Sequence, residues 1–216
     1  MTRMRIALLL LVAASVAELS ADCGLGRLTP YDEGDRNPSF AEFRRRLVDI
    51  VRRKDAPALL RLLDPAIRNS FGGDGGVAEF RDMWRPEQQS SEVWKELAQI
   101  LAMGGSFREG GNQFWAPYVH SRWPDLDGYF HLAVIGSGVA LRSQSSATAP
   151  VLARLSFDIV KVTPDGYRPE SPWWKVSCGG RTGYVLRTEA RSPIDFRAGF
   201  EKKAGRWVIT YLIAGD

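Results

Sequence analysis

The segment Trp173-Trp174-Lys175-Val176-Ser177-Cys178-Gly179-Gly180-Arg181-Thr182-Gly183-Tyr184-Val185 contains two apolar, strand-forming runs around a pair of glycines. Glycine adopts the positive φ angles of a tight turn without strain, so this pattern predicts a β-hairpin. Successive side chains of a strand point to opposite faces, and Trp173 and Trp174 therefore cannot both face one core. We expect one of the two to be buried and the other to be exposed or covered by another element.

Short apolar runs continue the β pattern upstream of this hairpin. They lie at residues 131–134, 138–141, 151–155 and 159–162 and are separated by polar turns. Several short strands within about sixty residues are typical of a small closed β-barrel. We therefore expect such a barrel over residues 129–190.

Four ordered segments of this region resemble the signatures of bacterial SH3-like domains. They are Val139-Ala140-Leu141-Arg142-Ser143, Val151-Leu152-Ala153-Arg154-Leu155, Trp174-Lys175-Val176 and Gly183-Tyr184-Val185. The chain departs from the family pattern at Leu141 and Gln144, where Val and Gly are usual, and in a longer loop at residues 164–172. The resemblance implies an SH3-like barrel with Trp174 in its core and Trp173 exposed.

Small SH3-like barrels bind extended peptides in grooves lined by aromatic rings. The resemblance therefore implies that Trp173, Tyr184 and Tyr167 contact a ligand, with Arg142 as the partner of a carboxylate. The alternative is that Tyr184 and one of the tryptophans belong to the barrel core.

The first 17 residues have the three parts of a secretory signal peptide. A basic segment, Thr2-Arg3-Met4-Arg5, precedes an apolar run from Ile6 to Val12, and Ser15-Val16-Ala17 forms a cleavage signal. We expect a periplasmic or secreted protein without a stable transmembrane span, because a spanning helix needs about 20 apolar residues. The alternatives are an N-terminal membrane anchor and lipid attachment at Cys23, although Asp22 is not the small residue that normally precedes a lipidated cysteine.

The charge of the processed chain argues against nucleic acid as a partner. Loss of Arg3 and Arg5 lowers the formal net charge from +4 to +2, and the remaining basic residues are interspersed with acidic ones. We expect a partner in the cell envelope instead, either a peptidoglycan peptide or an envelope protein.

The chain has two cysteines, Cys23 and Cys178, and exported proteins commonly pair theirs. A disulfide would attach the leading segment to the predicted barrel. The alternative is a buried, unpaired Cys178 with a disordered Cys23, and the sequence does not decide between them.

Residues 18–37 have no periodicity and are interpreted as a linker, whereas residues 38–128 are predicted to be helical. Ser39 and Glu42 form a capping box for an amphipathic helix, whose opposite face carries arginines that are either solvated or bound to an anionic surface. A second helix is predicted to start at Asp55 and to end near Asp64-Pro65. Residues 191–216 predict a terminal hairpin that packs on the helical region or extends the barrel, since a lone hairpin is marginally stable.

Two further sets of residues have side chains that can take part in catalysis or metal binding. Asp74 with Glu79, or Asp82, beside a glycine-rich loop would suit a glycan hydrolase, which needs paired carboxylates. His120 and His131 lack Asp, Glu or Cys at ligand spacing and are interpreted as structural, so we expect no metal and no cofactor.

These patterns predict an α+β protein with an N-terminal helical region, an SH3-like barrel and a terminal hairpin. We expect it to be a non-catalytic binding protein. The alternatives are a cell-wall glycan hydrolase and an envelope scaffold whose barrel stabilises a helical partner surface.

Overall fold

The computed structural model describes residues 22–73 and 75–215, so the predicted signal peptide lies outside it. The described residues form five α-helices and two β-sheets, which confirms the α+β class. The helices are α1 (Pro38–Arg53), α2 (Ala56–Leu60), α3 (Val77–Trp84), α4 (Glu92–Ala102) and α5 (Tyr118–Ser121). The strands are β1 (Leu63–Arg68), β2 (Ser106–Arg108), β3 (Gln113–Ala116), β4 (His131–Val134), β5 (Val139–Arg142), β6 (Val151–Leu155), β7 (Ile159–Val162), β8 (Trp173–Cys178), β9 (Arg181–Leu186), β10 (Ala190–Arg191), β11 (Arg197–Lys203) and β12 (Arg206–Ile213).

Helix α1 begins as an amphipathic helix, but its cap differs from the predicted one. The side chain of Asn37 accepts hydrogen bonds from the backbone N–H groups of Ser39 and Phe40, so Asn37 and not Ser39 caps the helix. The apolar positions at helical spacing are buried as predicted, and they are Phe40, Phe43, Leu47, Ile50 and Val51.

The buried face of α1 packs on the first sheet through an aromatic cluster. The ring of Phe40 is fully buried, and its centroid lies 4.2–5.9 Å from those of five other rings: Phe43, Phe107, Phe114, Phe200 and Trp207. These rings come from α1, β2, β3, β11 and β12. Segments far apart in the sequence therefore share one core.

The predicted second helix is too long. Asp55 caps α2 as expected, but the helix ends at Leu60 and residues Leu63–Arg68 form β1. Strand β1 lies at the edge of the first sheet and pairs in parallel with β12, which supplies a partner that local sequence does not reveal. An edge position also tolerates Pro65, which lacks a backbone N–H. The predicted helical region over 38–128 thus contains three strands.

The terminal hairpin forms as predicted and packs on the helical region. Strands β11 and β12 turn at Ala204-Gly205 and occupy the middle of the first sheet, whose order is β1-β12-β11-β3-β2. Phe200 and Trp207 of this hairpin lie in the core beneath α1. The chain leaves the sheet after β3 and returns at β11, so the second sheet is an insertion between these two strands.

The second sheet contains the predicted strands β4–β9 together with β10, which the sequence does not predict. They are antiparallel in the order β10-β4-β7-β8-β9-β5-β6, and Gly179 and Gly180 both have positive φ in the β8–β9 turn. No pairing joins the edge strands β10 and β6 in the described residues, so the predicted closure into a barrel is not found.

The segment predicted to be a linker is packed from residue 22 onward. Leu28 is buried and donates its backbone N–H to the Phe157 carbonyl at 2.8 Å, beside the second sheet. Four residues later Asp32 pairs with Arg44 of α1 at 2.6 Å, and Glu33 accepts the backbone N–H of Phe107 in β2 at 2.8 Å. This segment therefore connects both sheets and is not a free linker.

The two cysteines form a disulfide, which confirms one of the two alternatives. Cys23 of the leading segment is bonded to Cys178, which is buried in the core of the second sheet. The bond closes a loop between residues 155 positions apart in the sequence. A cross-link across so long a loop removes much conformational freedom from the unfolded chain.

Replacing Cys23 with serine is expected to lower the free energy of unfolding by about 2–5 kcal/mol, because the unfolded chain regains the entropy of the open loop. Denaturant unfolding of the wild type and of Cys23→Ser measures this. Dithiothreitol should bring the wild type to the stability of the variant and leave the variant unchanged. Equal stability of the oxidised wild type and the variant would contradict the expectation.

Candidate functional site

Three of the four predicted ligand-binding residues lie on one face of the second sheet. Tyr184 of β9 is the register partner of both Lys175 in β8 and Arg142 in β5. Directly opposed residues of neighbouring strands point to the same face, and Trp173 shares the face of Lys175 because the two are separated by two positions. Trp173, Tyr184 and Arg142 therefore share a face, as the groove hypothesis requires.

The expected exposure of Trp173 is wrong. Trp173 is only 8% exposed, whereas Trp174 is half-buried and packs against the core of the second sheet. Strand alternation predicts the face to which a side chain points, but not whether another part of the chain covers that face. Trp173 points away from the sheet core and is covered.

Arg142 and Tyr184 are engaged within the sheet. The Arg142 guanidinium donates to the Ala149 carbonyl at 2.8 Å, which joins the two ends of the β5–β6 loop. Tyr184 is half-buried between Arg142 and Lys175, and Lys175 pairs with Asp165 at 2.7 Å. The Arg142 contact gives this residue a structural role on this face.

Tyr167, the fourth predicted residue, lies instead against Trp174. Its side chain is 61% exposed, and the two ring centroids are 5.5 Å apart. The guanidinium carbon of Arg187 lies 4.3 Å from the Trp174 centroid and 5.2 Å from that of Tyr167. We call Tyr167, Trp174 and Arg187 the aromatic–arginine cluster.

The hairpin positions this cluster. Trp174 stands opposite Val185, and Arg187 follows β9 by one residue, so the start of β8 and the end of β9 bring the two side chains together. The backbone N–H of Arg187 donates to the Pro172 carbonyl, and its guanidinium donates to the Arg168 carbonyl, both at 2.8 Å. Tyr167 and Arg168 belong to the loop between β7 and β8, and this loop places an aromatic ring over the hairpin.

Arg187 also lines a cleft between the two sheets. The cleft has a volume of about 430 Å³ and lies between α4 and residues 187–196. Glu96 and Gln99 line it on the helix side, and Arg191 and Phe196 line it on the other side. Arg191 is 7% exposed and donates to the Phe196 carbonyl at 2.6 Å.

The cleft carries both basic and acidic side chains, since Lys95, Arg187 and Arg191 line it together with Glu96 and Asp195. The Nε atoms of Arg187 and Arg191 are buried and have no hydrogen-bond partner among the described residues. Burial raises the pKa of the Glu96 carboxyl, although the Arg191 charge opposes that shift. Leaving buried donors unpaired is unfavourable.

Sequence reasoning found Tyr167 and the position of Trp174 but missed Arg187 and Arg191. The position of Arg187, two residues after Val185, indicates that its side chain lies near the start of β8. No such signal existed for Arg191, because its contact with α4 depends on how the two sheets pack.

The carboxylates predicted for the glycan hydrolase alternative are Asp74 with Glu79 or Asp82. Asp74 lies outside the described residues. Glu79 accepts a hydrogen bond from the buried Asn69 amide at 3.0 Å, and the same amide donates to the Gly76 carbonyl at 3.1 Å. Glu79 therefore anchors the glycine-rich loop, and Asp82 is exposed on α3.

The two histidines contact backbone carbonyls. Nδ1 of His120 lies 3.2 Å from the Pro193 carbonyl, and Nδ1 of His131 lies 2.8 Å from that of Asp127, so each nitrogen carries the proton it donates. Within residues 22–73 and 75–215, no group of three or more His, Cys, Asp or Glu side chains could hold a metal ion. Burial lowers the pKa of His120 to about 4, and the nearby Arg197 charge adds to this effect.

Comparison with known proteins gives no relative for this chain: no family model, no curated protein and no solved structure matches it. In the part of the chain that is described, no helix has the length and apolar character needed to cross a bilayer.

Acid is expected to destabilise the fold through His120. The unfolded chain takes up this proton near pH 6.5 and the folded chain only near pH 4, so the stabilisation is complete above pH 6.5 and is lost as the pH falls to 4. Over this window, protonation of His120 should lower the free energy of unfolding by about 3 kcal/mol. Denaturant unfolding at a series of pH values should show a shallower acid loss for His120→Gln, and an unchanged profile would contradict the expectation.

Proposed function

We propose that this protein is an exported, non-catalytic binding protein whose second sheet is an SH3-like module that recognises a peptide. The peptide belongs to the cell wall or to another envelope protein, and a carboxylate group is part of what is recognised. The aromatic–arginine cluster beside the cleft is the observation that carries this proposal.

Two features support a location outside the cytoplasm. The sequence of residues 1–17 has the pattern of a signal peptide. The Cys23–Cys178 disulfide is of the kind that persists in oxidising compartments such as the periplasm.

The cluster suits an extended peptide for two physical reasons. An exposed ring such as Tyr167 offers apolar contact area at low cost in conformational entropy, and Trp174 and Arg187 hold that ring in place. Arg187 connects this surface to the cleft, where Arg191 supplies a second guanidinium. A peptide lying across Tyr167 could thus place a carboxylate between two arginines.

The SH3-like assignment rests on the sequence signatures and on the strand positions. Strands β5, β6, β8 and β9 carry the four signature segments, and Trp174 packs towards the sheet core as the signature requires. The long loop that contains Tyr167 is where the chain departs from the family pattern, so it is the part that would give this module its own specificity.

Binding to the cell wall can be tested with purified protein over residues 18–216 and intact peptidoglycan sacculi. Tyr167→Ala and Arg187→Gln are each expected to weaken retention about tenfold, because each removes a central contact of the ligand surface. Tyr129→Ala is the matched control, since Tyr129 is 59% exposed and lies outside the cluster. Thermal unfolding of each variant verifies that it is folded.

The outcomes separate the two kinds of partner. Retention that the cluster variants reduce and Tyr129→Ala does not would support a wall peptide. If the wild type is not retained, a photo-crosslinking residue at position 167 should capture an envelope protein in cells. Retention that is equal in all variants, or no retention together with no crosslink, would refute the proposed site.

A further inference from the structure

We infer that a second cleft, on the face of the first sheet and α1, binds a small molecule that carries a phosphomonoester. This cleft has a volume of about 750 Å³, which lies in the range of small-molecule sites. It is lined by Arg46 of α1, Arg61 directly after α2 and Arg206 at the start of β12. The inference is independent of the proposed function, since these residues belong to other elements than the aromatic–arginine cluster.

The three arginines share this cleft, whereas the other arginines of α1 lie outside it. Arg44 pairs with Asp32 and Asp35, while Arg52 and Arg53 both pair with Asp49. The charges of these three arginines are therefore compensated within the fold. Arg45 is exposed and has no ion pair with the described carboxylates, but it does not line the cleft.

By contrast, Arg46, Arg61 and Arg206 are exposed and form no ion pair with the described carboxylates. They come from three separate elements and converge on one concavity. Like charges repel one another, so a binding partner of opposite charge would relieve a repulsion that the fold leaves uncompensated.

The charge count selects the class of ligand. Glu42, one helical turn before Arg46, is the one carboxylate among the described residues that line the cleft. Three guanidinium charges against one carboxylate leave two net positive charges. A phosphomonoester carries close to two negative charges at neutral pH, and its oxygens fit the planar fork of arginine, whereas a single carboxylate carries one.

The floor of the cleft is apolar and held in place. Phe43, Leu62, Leu63 and Trp207 line it, and the Trp207 indole N–H donates to the hydroxyl of Ser39 at 3.0 Å. Lys202 donates to the same hydroxyl at 3.2 Å and brings a further positive charge beside the cleft. An apolar floor beneath a basic rim suits a phosphate attached to a ring or an alkyl group, and not inorganic phosphate alone.

The test uses phenyl phosphate as the probe, with benzoate as the singly charged comparison. Titration into ¹⁵N-labelled protein over residues 18–216 is expected to shift the Trp207 indole signal, with phenyl phosphate binding at least fivefold more tightly than benzoate. Each of Arg46→Gln, Arg61→Gln and Arg206→Gln should weaken binding of phenyl phosphate about fivefold. Arg45→Gln should not, since Arg45 is exposed on α1 but does not line the cleft.

Glu42→Gln gives a test that misfolding cannot mimic, because removal of this carboxylate should tighten binding of phenyl phosphate about threefold or more. Absence of binding at 20 mM probe, or equal losses for the Arg45 control and the cleft variants, would overturn the inference. Sedimentation with phosphatidylglycerol vesicles covers the membrane alternative. Vesicle binding that depends on the three arginines, without binding of phenyl phosphate, would likewise refute a small-molecule site.

Discussion

The parallel pairing of β1 with β12 is the constraint on which the rest of the fold depends. Strand β12 lies between β1 and β11, so Leu63–Arg68 and Arg206–Ile213, which are far apart in the sequence, must meet before the first sheet is complete. The aromatic cluster around Phe40 also requires distant segments to come together, because its rings come from α1, β2, β3 and the terminal hairpin. The second sheet is inserted in the sequence between β3 and β11, and both of these strands belong to that shared core.

The leading segment adds a second connection between the sheets. It is bonded to Cys178 at one end and ion-paired to Arg44 of α1 further along, and Leu28 lies in a small core at the junction with Tyr118 and Ala133. These contacts fix how the second sheet sits against the first. The cleft that contains Arg187 and Arg191 exists only because α4 is held opposite the end of β9.

The two clefts illustrate different ways in which arginine is used. In the cleft between the sheets, Arg191 is buried and donates to a backbone carbonyl, so its guanidinium is already oriented. Around the second cleft, Arg46, Arg61 and Arg206 are exposed and rely on charge in excess of the local acids. Oriented donors favour a specific geometry of ligand, whereas uncompensated charge favours a class of ligand by its net charge.

Local pattern was sufficient where one element determines the outcome. The sequence by itself determined helix α1 and its buried face, the β8–β9 hairpin with its two glycines, the terminal hairpin, and the opposite directions of Trp173 and Trp174, since each follows from the period of a helix or a strand or from the φ freedom of glycine. Only the tertiary structure decided that Leu63–Arg68 is a strand, that Trp173 is covered and that the leading segment packs. The same holds for the bond between Cys23 and Cys178 and for the cleft that Arg187 and Arg191 line together with α4. The physical reason is that these features depend on partners distant in sequence, and neither periodicity nor spacing records which distant segments come into contact.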